Sequence, residues 1–262
     1  MIRHPLGLRL DPNGLHRDQI YEAARLGARG VVLDAIGDLA PHRLSATGRR
    51  DLRHLLRTVE LSLVAMSLPT RRPFDTTDQL DDRIRRADAA FAMAYELGTN
   101  LVLARVGPLP AADDPSRRET FTNALHELGQ RAEHRGVRLA IEAGSEPGNE
   151  LSDFIVALNS PGVAVSIDPA AALIAKVDPV ACVRDLGAWL AHAYANDATA
   201  FGGISGLNPR GFGYPTGALD WEEYLGALEE VSYHGFLTIW PGPGQPVATQ
   251  FTTVLDRLAR LS

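Results

Sequence analysis

Two apolar runs in this sequence end in a carboxylate. One, at 137–142, closes on Arg138-Leu139-Ala140-Ile141-Glu142; the other, at 163–168, closes on Val165-Ser166-Ile167-Asp168. If both runs are strands, side chains alternate between faces. Glu142 then shares a face with Ala140 and Arg138, and Asp168 shares one with Ser166 and Ala164. Small residues one layer down suit a crowded interior, so both carboxylates are expected to point into a common opening. Two carboxylates side by side repel unless a divalent cation, an arginine or a shared proton lies between them. The alternative is purely structural: Glu142 and Asp168 pair with Arg105 or Arg138 and brace the strand ends. By the same parity His192, Tyr194 and Asn196 share one face of a further run, and Phe236, Thr238 and Trp240 share another.

These residues need a scaffold, and the chain alternates short apolar runs with longer amphipathic segments. The runs are 6–10, 30–34, 61–68, 100–106, 137–142, 163–168, 190–196 and 236–240. Candidate helices cover 16–26, 48–60, 75–97, 115–134, 151–158, 179–186, 221–231 and 247–261. The runs are rich in Val, Leu and Ile and short enough to be strands covered on both faces. Gly27, Gly30, Gly98, Gly136 and Gly235 stand just past helices, where left-handed C-caps are expected. Eight such units in a row predict one α/β domain over 1–262, a (β/α)8 barrel with its chemistry at the C-terminal strand ends. An open doubly wound sheet is the alternative. It usually carries G-x-G-x-x-G after the first strand, and here that place holds Asp11-Pro12-Asn13-Gly14. Gly202-Gly203-Ile204-Ser205-Gly206 reads as a flexible loop after the seventh strand.

Bulk composition narrows the function classes. The 262 residues are 45% hydrophobic and 22% charged, with a net charge of −6. That suits a globular protein and argues against nucleic-acid binding through phosphates. Cys182 is the only cysteine, so an internal disulfide and a cysteine-rich metal site are excluded; it is expected to be buried packing. The first residues lack the apolar core of a leader, and no apolar stretch approaches a membrane span, so a cytoplasmic location is expected. Homo-oligomerisation is left open.

The fragments Gly136-Val137-Arg138-Leu139-Ala140-Ile141-Glu142, Val163-Ala164-Val165-Ser166-Ile167-Asp168-Pro169, Asn196-Asp197, Gly217-Ala218-Leu219-Asp220-Trp221 and Tyr233-His234-Gly235-Phe236-Leu237-Thr238-Ile239 carry a resemblance over essentially the full length. The chain resembles the xylose isomerase-like barrels of the sugar phosphate isomerase/epimerase superfamily. The resemblance implies a divalent metal held by Glu, Asp, His and Glu on strands five to eight, with the two glutamates moving a proton next to a sugar carbonyl. Glu142 and Asp168 match the first two ligands. The strand-seven pattern His-x-His-x-x-Asp is here His192-Ala193-Tyr194-Ala195-Asn196-Asp197, so Tyr194 holds the ligand position. Trp240 holds the position of the last Glu, Ala171 that of a further His, and Val32 that of a strand-two Glu.

The expected site is therefore a degenerate one, with no cofactor or a weakly bound Mg²⁺ or Mn²⁺ on Glu142 and Asp168. Glu142 is the expected catalytic base, assisted by Arg105, Asp34 or Asp197. Arg105, Tyr194, Arg210 and Trp240 are expected to bind a small sugar or polyol. The competing expectation is a non-catalytic barrel that binds a sugar-like ligand or a protein partner. Cleavage of abasic DNA, known in the same superfamily, is a third and needs more His and acidic ligands. His4 and His192 are expected to be packed or hydrogen-bonded, and Asp220 is expected to cap a helix that begins at Trp221.

Overall fold

The computed structural model describes residues 4–14, 16–143, 146–200, 207–211, 219–241 and 247–261. Eight parallel strands close into a barrel: β1 (Leu6–Arg9), β2 (Gly30–Asp34), β3 (Ser62–Leu68), β4 (Leu101–Ala104), β5 (Arg138–Ala143), β6 (Val163–Ile167), β7 (Leu190–Tyr194) and β10 (Leu237–Ile239). Neighbours follow chain order, and β10 pairs with both β1 and β7 to shut the ring. Between β7 and β10 the chain makes an antiparallel hairpin of β8 (Asn196–Ala200) and β9 (Leu207–Gly211).

The helices are α1 (His16–Arg25), α2 (Ala46–Thr58), α3 (Leu80–Leu97), α4 (Pro115–His134), α5 (Gly148–Leu158), α6 (Pro169–Ile174), α7 (Pro179–Leu186), α8 (Trp221–Glu230) and α9 (Val247–Arg260). No described helix is long and apolar enough to cross a membrane. Outward-facing strand residues such as Leu33, Met66, Ile141 and Ile167 meet helix residues such as Phe91, Leu125 and Leu128 in one buried layer. Cys182 is buried on α7, as expected, and burial pushes its thiol up to about 11.

The inner face of the barrel follows the expected alternation. Val32, Ala65, Leu101, Leu103, Ala140, Ala164 and Tyr194 form a separate buried cluster. Three alanines among them leave room for the one large ring, Tyr194, which is 1% exposed. A register shift between β2 and β3, where Val31 pairs with Leu63 but Val32 with Ala65, resets the alternation on β3. Ser67 is thereby turned toward the same opening as Asp34.

The structure differs from the sequence reading at several places. The seventh run was expected to be one strand over 190–196; it breaks after Tyr194, and Asn196 opens the hairpin. Arg210, expected in a loop, has its backbone in β9, while its side chain lies outside the described residues, as does all of 202–206. Helix α6 was not expected. It is short, but Asp168 accepts from the Ala170 N–H as its N-cap and Pro169 begins it. Gly27, Gly98 and Gly136 take the expected left-handed conformation. Gly30 lies inside β2, and after α8 the left-handed residue is Ser232, not Gly235.

Candidate functional site at the barrel mouth

Arg9 ends β1, and its side chain reaches across the mouth to the opposite wall. Its Nε donates to Asp34 Oδ1 at 3.1 Å, and Nη2 lies 3.0 Å from the same oxygen. Nη2 also donates to Ser67 Oγ at 2.7 Å. On the far side Nη1 donates to Tyr194 Oη at 2.8 Å and to Glu142 Oε1 at 3.4 Å. Trp240 closes the mouth from β10, with its ring centroid 4.1 Å from Arg9 Cζ, inside cation–π range. One guanidinium thus joins side chains from β2, β3, β5, β7 and the end of β10. Arg9 is 6% exposed. Burial works against its charge, but Tyr194, Asp34 and Glu142 outweigh that and raise it above the ordinary arginine value.

Glu142, Tyr194, Arg105 and Trp240 lie around this centre. Tyr194 Oη donates to Glu142 Oε1 at 3.0 Å, so that oxygen is held by two donors. Glu142 Oε2 has Arg105 Nε at 3.8 Å. The Arg105 side chain is two-thirds exposed, and Trp240 is 37% exposed despite its contacts with Arg9 and Tyr194. Of the two arginines weighed as structural partners, Arg105 reaches Glu142, whereas Arg138 makes no ion pair among the described residues.

Asp168 stands apart from the arginines. Asn196 Nδ2 lies 3.3 Å from both of its oxygens. Asn196 in turn accepts from the Trp240 backbone N–H at 3.1 Å, which ties the ends of β6, β7 and β10 together. Burial pushes the Asp168 carboxyl up to about 6, against the pull of the Asn196 hydrogen bond. Asp197, weighed as an assistant, instead accepts from the Leu219 N–H and Trp221 Nε1 and holds the entry to α8. Asp220 caps that helix through the Glu223 N–H, as expected. One layer below the mouth, His192 is fully buried between Ser166 Oγ and Thr238 Oγ1, each 2.8 Å away. Burial, then Arg9, lowers its pKa to about 3, so it stays neutral. His4 stacks on Tyr233.

These donors do not fit a divalent ion. A divalent ion needs carboxylate or imidazole lone pairs that are free and turned to one point, with water completing the shell. Tyr194 is neutral, since burial and then the charge of Glu142 raise it well above the usual phenol value, and its proton already points at Glu142. Trp240 offers only an N–H. Glu142 Oε1 faces a guanidinium and the Tyr194 hydroxyl. Among the described residues no group of three His, Cys, Asp or Glu is placed to hold a metal.

Sequence reasoning missed Arg9 and Ser67. The signal for Arg9 was present: a charge at the inward parity of Leu6-Gly7-Leu8-Arg9-Leu10 must be paired once the strand is buried on both faces. Asp34, ending the next strand, is its first partner.

Crystal structures with the same barrel include a xylose isomerase domain protein from Planctomyces limnophilus, at TM-score 0.84 and 19% identity over 98% of this chain and 96% of that one. A xylose isomerase-like TIM barrel protein from Mycobacterium smegmatis, in complex with magnesium, matches at TM-score 0.75 and 14% identity over 98% and 96%. D-allulose 3-epimerase from Methylomonas sp., in complex with D-allulose, matches at TM-score 0.76 and 16% identity over 100% and 98%. No curated protein matches in sequence. The family model described as xylose isomerase-like TIM barrel matches residues 20–260, so the chain belongs to that family.

Proposed function

We propose that the barrel mouth binds a small hydroxylated carbohydrate, as a sugar isomerase/epimerase-like site that works without a divalent metal. The observation that carries this reading is the partly exposed Trp240 indole, packed on Arg9 and Tyr194, both of which hydrogen-bond Glu142. An aromatic face with a few convergent polar groups is the usual make-up of a small-molecule site. The indole supplies a flat apolar surface for the C–H face of a sugar ring. Glu142 Oε2 and the Arg105 guanidinium supply an acceptor and donors for its hydroxyls. The Methylomonas relative holds D-allulose, which agrees with a ligand of this class.

A turnover reading has its own support. Glu142 keeps a cationic partner, whereas buried Asp168 is pushed up to about 6. Two carboxylates in different surroundings are a common arrangement for separating base from acid. In this reading Glu142 takes a proton next to a sugar carbonyl.

The test is a panel of free ketoses, polyols and their phosphates, followed by ligand-observed NMR and by product analysis. Saturable binding of at least one member, weakened about tenfold or more by Trp240→Ala, is expected, a loss of about 1.4 kcal/mol. No binding across the panel would remove the carbohydrate reading. Turnover that persists in Glu142→Gln would remove Glu142 as the base while leaving binding intact.

A further inference from the structure

We propose that Arg9 is the built-in cation of this mouth, doing for its carboxylates what a divalent ion would otherwise do and thereby keeping Mg²⁺ and Mn²⁺ out. The inference concerns metal exclusion, and its readout is metal retention, so it stands or falls separately from the carbohydrate reading.

Three features of the geometry carry it. First, the guanidinium is centred and not peripheral. Strand order places β5 across the ring from β1, and Arg9 spans that distance to reach Glu142. Second, its hydrogen-bonding capacity is spent inside the site. An arginine has five N–H donors. Nε faces Asp34, Nη1 faces Tyr194 and Glu142, and Nη2 faces Ser67 and Asp34. Four hydrogen bonds and an ion-pair contact of Nη2 with Asp34 thus turn Arg9 to groups of the protein, so it serves the protein's own carboxylates. Third, the charges within the ion-paired network balance, with Asp168 outside it on Asn196. Arg9 and Arg105 contribute two positive charges against the two negative charges of Asp34 and Glu142, all linked by ion pairs.

A divalent ion approaching Glu142 Oε1 meets a guanidinium nitrogen already 3.4 Å from that oxygen. It would have to displace a buried cation held by four hydrogen bonds, or share a carboxylate with it. The guanidinium does not titrate near neutrality. The charge is therefore fixed in a way that a dissociable metal's is not. Its planar fork also orients Tyr194 and Glu142, which a spherical ion would not do.

Removing the charge should convert exclusion into binding. Arg9→Met would leave the Asp34 and Glu142 carboxylates without their guanidinium partner, with water free to complete the shell of an ion held by them. Arg9→Gln is a second neutral variant, closer in shape and able to hydrogen-bond, for the case in which Arg9→Met does not fold. Arg9→Lys keeps the positive charge. Each is freed of metal with EDTA, dialysed, checked by circular dichroism, and titrated with Mn²⁺ while the free-Mn²⁺ paramagnetic resonance signal is followed.

The expected result is that wild type and Arg9→Lys leave the free signal unchanged at equimolar Mn²⁺. A folded neutral variant should retain the ion at least about tenfold more tightly than wild type. Stoichiometric Mn²⁺ retention by wild type that Glu142→Gln abolishes would overturn the proposal. So would a folded Arg9→Gln or Arg9→Met that still holds no Mn²⁺, since exclusion would then owe nothing to Arg9.

Discussion

The mouth of this barrel is organised around a single side chain, Arg9, whose contacts touch five other strands or their ends. Its hydrogen bonds to Tyr194 and Glu142 form a small buried triangle, because Tyr194 also donates to Glu142. Tyr194→Phe removes the hydroxyl and breaks two sides of that triangle at once. Leaving buried donors and acceptors unmatched costs about 1–3 kcal/mol, so the variant should unfold at lower urea by that amount. An unchanged midpoint would mean that the hydroxyl is not bonded as described. At this scale the sequence was half legible. Glu142 and Asp168 stood out because a carboxylate ending an apolar run has few innocent reasons to be there. Tyr194 and Trp240 stood out through the resemblance. Arg9 did not, because its meaning depends on Asp34, Ser67 and Glu142, which are distant in sequence and meet only when the ring closes.

Elements position these residues through close backbone approach as well as through strand pairing. Gly162, just before β6, lies against Gly129 of α4, and a Cβ added at Gly162 would stand 1.9 Å from the Gly129 carbonyl oxygen. That oxygen belongs to the helix backbone and cannot rotate away. Gly162→Ala should push α4 off the barrel and cost about 1–3 kcal/mol or more, read as a drop in the midpoint of thermal or urea unfolding. A neutral effect would show that the helix yields easily there. The eight barrel strands were readable because each is a short Val, Leu and Ile run covered on both faces. The β8–β9 hairpin was not, because Asn196-Asp197-Ala198-Thr199-Ala200 is small and polar and lacks that signature. Helix α6 was hidden for a different reason. Asp168-Pro169 is a helix-start signal, but Asp168 also ends a strand, and the reading of it as a ligand took precedence over its capping role.

The whole molecule should register two buried groups that respond oppositely to acid. His192 is held neutral, with its pKa lowered from 6.5 to about 3, so its contribution to stability is present above about 6.5 and lost as pH falls. Asp168 is raised from 3.8 to about 6, so the folded state gains a proton first, and stability rises as pH falls from about 6 toward 4. Between about pH 6 and 4 the two effects oppose each other. Asp168→Asn, which can still cap α6, removes one of them. Its stability should fall with acid more steeply than wild type, by on the order of 1.4 kcal/mol per pH unit across that window. Urea unfolding at a series of pH values checks this, and parallel curves for the two proteins would contradict it.

At the same scale, the barrel belongs to the xylose isomerase-like family, and a protein of similar fold from Mycobacterium smegmatis was crystallised in complex with magnesium, whereas the mouth of this barrel holds an arginine paired with Glu142. Metal-free carbohydrate recognition is the central claim. It is tested most directly by calorimetric titration of a sugar identified from the panel into EDTA-treated protein, repeated with excess Mn²⁺. Saturable binding in EDTA is expected, with an affinity that Mn²⁺ alters by no more than about twofold. Binding that appears only after Mn²⁺ is added would contradict it.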